Sequence, residues 1–113
     1  MFERIDTVCL TVHNVEEASD WYQALGFNLV FKGQGHHVFT IGNSPTPLTI
    51  AEGNISSPAN TTHPIFFTKD IKDTYEKLKE KGVEVSELED VGDVTFFDFY
   101  DPDKNKLQVC HFE

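Results

Sequence analysis

Few side chains in this sequence could do chemistry, and the histidines are the most notable of them. The chain has five histidines and two cysteines in 113 residues. Imidazole is an acid or base near neutral pH and a common metal ligand. His63 opens the apolar run "HPIFF", which predicts a strand that ends shortly before a helix at Asp70. His36 and His37 are adjacent, so on a strand they face opposite sides and cannot bind one ion together.

A second group of candidates lies on one predicted strand, "VTFFDFY", near the C-terminus. Strand alternation places Phe96, Asp98 and Tyr100 on one face. A carboxylate between aromatic rings costs free energy if it is buried without a partner, so we expect Asp98 to reach solvent or to contact a ligand. For either aromatic residue taken singly, packing in the core is the competing interpretation.

Charge and hydropathy exclude some classes of partner. Nineteen acidic residues against nine basic ones give a formal charge of −10. Affinity for nucleic acid comes largely from neutralising phosphates, so we expect no nucleic-acid partner. We also expect no membrane association, because no apolar run approaches the roughly 20 residues of a bilayer span and no signal pattern is visible.

Cys9 and Cys110 lie in apolar runs without metal-binding spacing, which favours buried, reduced thiols and a cytoplasmic location.

The elements that must position these residues occur twice in the chain. Residues 7–27 align with residues 63–83 at an offset of 56 without gaps. Each copy has an apolar strand, an Asn or Asp that can cap a helix, an amphipathic helix and a closing glycine. The caps and closing glycines are Asn14, Asp70, Gly26 and Gly82. Because strand-like runs follow each glycine, the sequence predicts an α+β fold of two tandem βαβββ modules. Their predicted bounds are about 1–53 and 63–113, with a linker at about 54–62.

Two motifs in these modules resemble the vicinal oxygen chelate superfamily of glyoxalases, bleomycin resistance proteins and extradiol dioxygenases. The first-helix signature D-x-x-x-A-x-x-F-Y-x-x-x-L-G-F is similar to residues 14–27, which are one residue shorter before Leu-Gly. The closing motif D-P-D-G-N-x-hydrophobic-E is similar to "DPDKNKLQ" at residues 101–108. The resemblance covers nearly the whole chain. It implies a single domain whose modules form a curved mixed sheet with a ligand cleft.

In members that use a divalent metal, the resemblance implies four ligand positions, occupied here by Thr7, Thr49, His63 and Gln108. Only His63 is a strong ligand, while the Gln108 amide is weak and the threonine hydroxyls are weaker. A catalytic metal needs about three firm ligands and an open position. We therefore expect no metal and no other cofactor. If a divalent metal does bind, we expect His63 and Gln108 to hold it.

Three functions stay open on this evidence. The first is metal-free binding of a small aromatic or cationic molecule, as in the bleomycin-resistance members. The predicted ligand-binding cleft consists of Thr7, His37, Thr49, His63, Phe96, Asp98, Tyr100 and Gln108. The alternative is a metal-dependent lyase, isomerase or dioxygenase with an atypical ligand set, so the sequence does not decide whether the protein is an enzyme. The resemblance also implies a homodimer, and a dimeric scaffold with a vestigial cleft is the third function.

Overall fold

The structure is a computed structural model, and it describes residues 1–54 and 62–113. The chain divides into two compact units, residues 1–60 and 61–113, which we call module 1 and module 2. Both contain one helix and a sheet of parallel and antiparallel strands, so the predicted α+β class is confirmed. The centre of the predicted linker, residues 55–61, lies outside the described residues.

Module 1 is a four-stranded sheet with one helix on it. Its elements are β1 (Val8–Val12), α1 (Val15–Ala24), β2 (Asn28–Lys32), β3 (His36–Thr40) and β4 (Leu48–Glu52). The strand order is β1-β4-β3-β2, with β1 parallel to β4 and the other pairs antiparallel. The core between sheet and helix includes the buried Val12, Tyr22, Phe39, Leu48 and Ile50.

Module 2 repeats this plan with one difference. Its elements are β5 (Ile65–Phe67), α2 (Ile71–Glu80), β6 (Glu84–Val85), β7 (Glu89–Asp90), β8 (Thr95–Tyr100) and β9 (Lys106–His111). The order is β5-β9-β8-β6, with β5 parallel to β9 and β7 also paired with β8. The core beneath α2 includes the buried Ile71, Leu78, Phe97, Phe99, Leu107 and Val109.

The strand-like run that follows Gly82, residues 83–89, is divided into β6 and β7. Val85 pairs with Phe99, but Glu89 pairs with Phe96, so the register shifts by one residue between the two short strands. Such a shift is a β-bulge. Ser86 lies at this bulge, where its N–H donates to the Asp98 carbonyl over 2.8 Å and its Oγ accepts from the Asp98 N–H over 2.9 Å.

The two helices begin and end where the repeat predicts. The Asn14 side chain accepts a hydrogen bond from the Glu17 N–H, and the Asp70 side chain accepts one from the Asp73 N–H. Gly26 has φ +97° and, at the same place after α2, Gly82 has φ +77°. Both helices have ten residues, and the offset of 56 holds at each end. Within the described part of the chain, no helix has the length and hydropathy needed to cross a membrane.

Each sheet has a face packed on its own helix and an opposite face, which we call the open face. On β8, Phe97 and Phe99 lie buried on the helix side, so Phe96, Asp98 and Tyr100 belong to the open face. On β4, Leu48 and Ile50 are buried on the helix side, so Thr49 belongs to the open face. The residues at equivalent places of the repeat therefore lie on equivalent faces.

Candidate functional site

The open face of module 2 carries a carboxylate held by a side-chain amide. Asp98 on β8 lies directly across from Gln108 on β9, and Gln108 Nε2 donates a hydrogen bond to Asp98 Oδ1 over 2.9 Å. Lys106 Nζ lies 3.5 Å from the other oxygen, Asp98 Oδ2. Only 19% of the Asp98 side chain is exposed, so its interactions are less weakened by water than those of a surface carboxylate. Asp98 thus has partners within the module and still reaches solvent.

Two aromatic side chains flank Asp98 along β8. Phe96 comes two residues before it and Tyr100 two residues after it, and both are half-buried on the open face. The intervening Phe97 instead points to α2, where its ring centroid lies 4.9 Å from that of Tyr75. The order ring, carboxylate, ring on one face therefore follows from strand alternation, as the sequence predicted.

The sequence did not single out Lys106 as a site residue. Lys106 lies two residues before Gln108 on β9, so both are on the same face, and it pairs directly across from Tyr100. Alternation around Gln108 could have indicated the face of Lys106. Its approach to Asp98 depends on the register between β8 and β9, which the length and conformation of the connecting turn determine.

His63 lies at the beginning of module 2, two residues before β5, and is half-buried. The next residue, Pro64, accepts a hydrogen bond through its carbonyl from the Gln108 N–H over 3.1 Å. His63 thus lies next to the point where the first strand of the module meets the last. Its part in ligand or metal binding stays a prediction.

In module 1, the two predicted threonines contact each other. Thr7 precedes β1, Thr49 lies on β4, and their Oγ1 atoms are 2.8 Å apart. Thr7 Oγ1 also lies 3.1 Å from the Pro47 carbonyl oxygen. A hydroxyl has one hydrogen to donate, so both contacts are satisfied when Thr7 donates to Pro47 and Thr49 donates to Thr7. Both hydroxyls are therefore engaged in joining the start of β1 to β4.

The two adjacent histidines face opposite sides of β3, as predicted. His37, which the prediction placed in the ligand cleft, lies on the face covered by α1. His37 pairs with Ile50 on the face covered by α1, where only 1% of the residue is exposed. His36 lies on the open face, with its ring centroid 5.5 Å from that of Phe31. Alternation gives opposite faces without saying which is covered; the burial of Phe39 on the same strand decides it. His37 is therefore separated from the open face that carries Thr49.

The cysteines also differ from the expectation of two buried thiols. Both are free, but Cys9 is exposed and Cys110 is half-buried. Each lies on an open face, because Cys9 pairs with Thr49 and Cys110 pairs with Phe96. Partial burial raises the pKa of the Cys110 thiol above its ordinary value. The apolar runs around them therefore reflect the neighbouring core positions and not the burial of the thiols.

Comparison with known proteins agrees with this architecture. Residues 4–109 match the family model of the glyoxalase/bleomycin resistance protein/dioxygenase superfamily. The chain belongs to this superfamily. The prediction from the two motifs is therefore confirmed at the level of the family.

Solved structures with the same fold are similar to this protein over nearly the whole chain. TnmS3, an antibiotic binding protein from Streptomyces sp. CB03234, has a TM-score of 0.85 at 20% identity, covering 99% of this chain and 98% of that one. The fosfomycin resistance protein FosX from Listeria monocytogenes has a TM-score of 0.84 at 18% identity, covering 100% and 96%. At these identities the similarity shows the fold alone.

A curated superfamily relative is biphenyl-2,3-diol 1,2-dioxygenase 2 from Rhodococcus globerulus. It is 29% identical over 117 aligned positions, which cover 93% of this chain and 62% of the dioxygenase. The chain thus spans less than two thirds of the length of that relative.

The positions that the superfamily resemblance assigns to metal ligands do not fit a divalent cation here. The Thr7 and Thr49 hydroxyls bond to each other, and the NH₂ group of Gln108 donates to Asp98. Among residues 1–54 and 62–113, no three His, Cys, Asp or Glu side chains form a group that could hold a metal ion. Firm sites use imidazole, thiolate or carboxylate donors, and of the four positions only His63 carries one.

Proposed function

We propose that this protein binds a small aromatic or cationic molecule on the open face of module 2, without a metal. The observation that supports this most directly is the Asp98 carboxylate, 19% exposed and placed between Phe96 and Tyr100 on one face of β8. Aromatic faces bind flat apolar molecules by stacking and attract cations through the ring quadrupole. A carboxylate between two such rings adds a charged hydrogen-bond acceptor.

The charge of the whole chain supports the same class of ligand. A formal charge of −10 gives the protein a negative potential that raises the local concentration of cations. TnmS3, an antibiotic binding protein, gives a precedent for ligand binding on this fold. Function does not follow from fold alone, so the proposal depends on the side chains of β8 and β9.

The test is a thermal-shift screen with a panel of aromatic and cationic compounds, applied to the wild type and to Phe96→Ala. A ligand that binds the folded state stabilises it by about 2.7 kcal/mol at a concentration of about 100 times its Kd. We expect at least one compound to raise the melting temperature of the wild type and to raise that of Phe96→Ala less. Phe31→Ala, on the open face of module 1, is the matched control. A panel that shifts neither protein contradicts the proposal.

A metal-dependent enzyme is the second candidate, and the similarity to the dioxygenase favours it. His63 is the one strong donor at the four implied positions. Metal content measured by plasma mass spectrometry, before and after incubation with manganese, iron, nickel and zinc, separates the two candidates. About one ion per chain in the wild type and none in His63→Ala would overturn metal-free binding and lead to glyoxalase and dioxygenase assays.

Pairing into a homodimer and a cytoplasmic location stay predictions. Pairing is expected from the superfamily, and closed two-fold dimers are the commonest oligomers. Light scattering at working concentration tests the homodimer, and a monomer would also contradict the scaffold function.

A further inference from the structure

We infer that Asp98 and Gln108 form an acceptor pair that selects ligands with a cationic N–H group, and that Lys106 is a counter-ion which such a ligand replaces. This inference rests on the proposed function and names the ligand class for the same face. The ligands are amidinium, guanidinium or primary ammonium compounds with an aromatic part.

The first step is the orientation of the Gln108 amide. An ionised carboxylate can only accept hydrogen bonds. The 2.9 Å contact to Asp98 Oδ1 therefore requires the NH₂ group of Gln108, not its carbonyl, to face Asp98. The other end of the amide, Gln108 Oε1, is then a hydrogen-bond acceptor that does not contact Asp98. Asp98 is thus a positioning residue for Gln108 as well as a binding group.

The second step is the weakness of the ion pair between Asp98 and Lys106. Their 3.5 Å separation is long for a hydrogen bond, and 42% of the Lys106 side chain is exposed. Such a pair contributes little to stability, because water competes for the Lys106 ammonium and holding its long side chain in one geometry costs entropy. Lys106 therefore neutralises the carboxylate while the face is free and can move into solvent when another cation arrives.

The third step is the environment that a replacing cation would meet. Asp98 Oδ2 and Gln108 Oε1 are both acceptors without hydrogens. A cation whose polar group has only N–H donors fits them better than a neutral amide, which also carries an acceptor oxygen, or an anion. Phe96 and Tyr100 flank the carboxylate and favour the aromatic part of the ligand. An N–H cation bound to a carboxylate gains a charge-assisted hydrogen bond that a neutral isostere lacks.

The experiment compares three probes of nearly equal shape: benzamidinium, benzamide and benzoate. Each is titrated into isotope-labelled full-length protein, and the backbone amide shifts of β8 and β9 are followed by NMR. We expect benzamidinium alone to give saturable shifts there. Asp98→Asn should weaken its binding by at least about tenfold, which corresponds to the loss of a hydrogen bond to a charged group.

Lys106 supplies the sharper arm of the test. Lys106→Met keeps the aliphatic stem and removes the competing charge, so benzamidinium should bind about two- to fivefold more tightly. Lys104→Met is the matched control, because Lys104 pairs with Glu84 at 2.7 Å and not with Asp98; it should leave the affinity within about twofold. The comparison of Lys106→Met with Lys104→Met tests the inference even if Asp98→Asn does not fold.

Two patterns of binding would overturn the inference and leave the proposed function in place. One is binding of benzamide or benzoate at β8 and β9 as tight as that of benzamidinium. The other is weaker benzamidinium binding to Lys106→Met, which would make Lys106 part of the binding site. Absence of shifts on β8 and β9 with all three probes would overturn the inference, and a negative thermal-shift panel would separately overturn the proposed function.

Discussion

The imidazole of His37 lies between the sheet and the helix of module 1 with neither nitrogen hydrogen-bonded to a described residue. Glu16 Oε1 is 3.6 Å from Nε2, which is too long for a hydrogen bond. Glu16 Oε2 is 3.4 Å from Lys32 Nζ, so the same carboxylate forms an ion pair with the lysine ammonium. Burying a polar group without a partner costs about 1–3 kcal/mol in folding free energy. His37 is therefore a destabilising residue in this layer.

We predict that His37→Leu raises the free energy of unfolding by about 1 kcal/mol or more, since leucine removes the two unpaired nitrogens and keeps an apolar side chain in place. Urea denaturation of the wild type and the variant measures the difference. His36→Leu, on the open face of the same strand, is the control and should change the stability by less. A less stable His37→Leu would show that the imidazole has a hydrogen-bond partner in solution, such as a buried water.

His111 provides a second prediction at the scale of one residue. Its Nδ1 lies 2.8 Å from the Thr68 carbonyl oxygen and its Nε2 lies 3.3 Å from Glu113 Oε1. Both partners are acceptors, so only the protonated ring can donate to each of them. The Thr68 carbonyl, followed by the Glu113 carboxylate, therefore raises the pKa of His111 above its ordinary value of 6.5.

A raised pKa in the folded state means that protonated His111 stabilises the fold. The contribution is present in full below the pKa of the unfolded chain and is lost as the pH rises through the folded-state pKa. We predict that the stability advantage of the wild type over His111→Gln is constant at pH values below 6.5 and decreases as the pH rises above it. Urea denaturation below and above this pH tests it, and an advantage that grows with pH would contradict the assignment.

At the scale of elements, the turn between β8 and β9 shows how local chemistry sets a register. The Asp101 carboxylate is buried and accepts hydrogen bonds from the N–H groups of Asp103 and Asn105 at 2.9 and 2.8 Å. Lys104 has a φ of +68° and is the only described residue other than glycine in the left-handed region. The superfamily motif has glycine at this place, so the turn keeps its shape here at the cost of backbone strain.

We predict that Lys104→Gly is more stable than Lys104→Ala by roughly 1 kcal/mol, because a Cβ is disfavoured at positive φ. Both variants lose the exposed pair with Glu84, so that loss cancels in the comparison. Thermal and urea unfolding of the two variants measure the difference. Equal stabilities would mean that the turn adopts another conformation in solution.

The elements differ in how far the sequence predicts them. The helices were predicted well because each begins at a side-chain cap, Asn14 or Asp70, and ends before a glycine, and these signals are local. The division of the strand at Ser86 was not predicted, because a bulge depends on the partner strand β8.

The candidate site shows the same limit. Alternation grouped Phe96 with Asp98, but it did not show that the face of His37 is covered by α1, and it did not bring Lys106 to the carboxylate. Local patterns give relative phase along one strand. Which face of a strand is covered depends on packing against distant elements, and the register depends on the partner strand and the connecting turn.

At the scale of the whole molecule, charge is the dominant feature. A formal charge of −10 on 113 residues produces self-repulsion in the compact state. Salt screens exposed charges over a Debye length of about 8 Å at 0.15 M. We predict that the melting temperature rises between about 0.01 and 0.2 M NaCl, with an equal osmolality of a neutral solute as the control. A falling melting temperature would show that attractive surface pairs outweigh the repulsion.

The parallel pairing of first and last strands affects how the chain is made. Val8 of β1 pairs with Leu48 of β4, and Ile65 of β5 pairs with Gln108 of β9. A ribosome adds about 5–20 residues per second, so β1 is synthesised about 2–8 s before its partner strand. During this interval β1 is a strand with unpaired backbone groups, which other chains can bind. Each module thus completes its sheet only when its last strand leaves the ribosome.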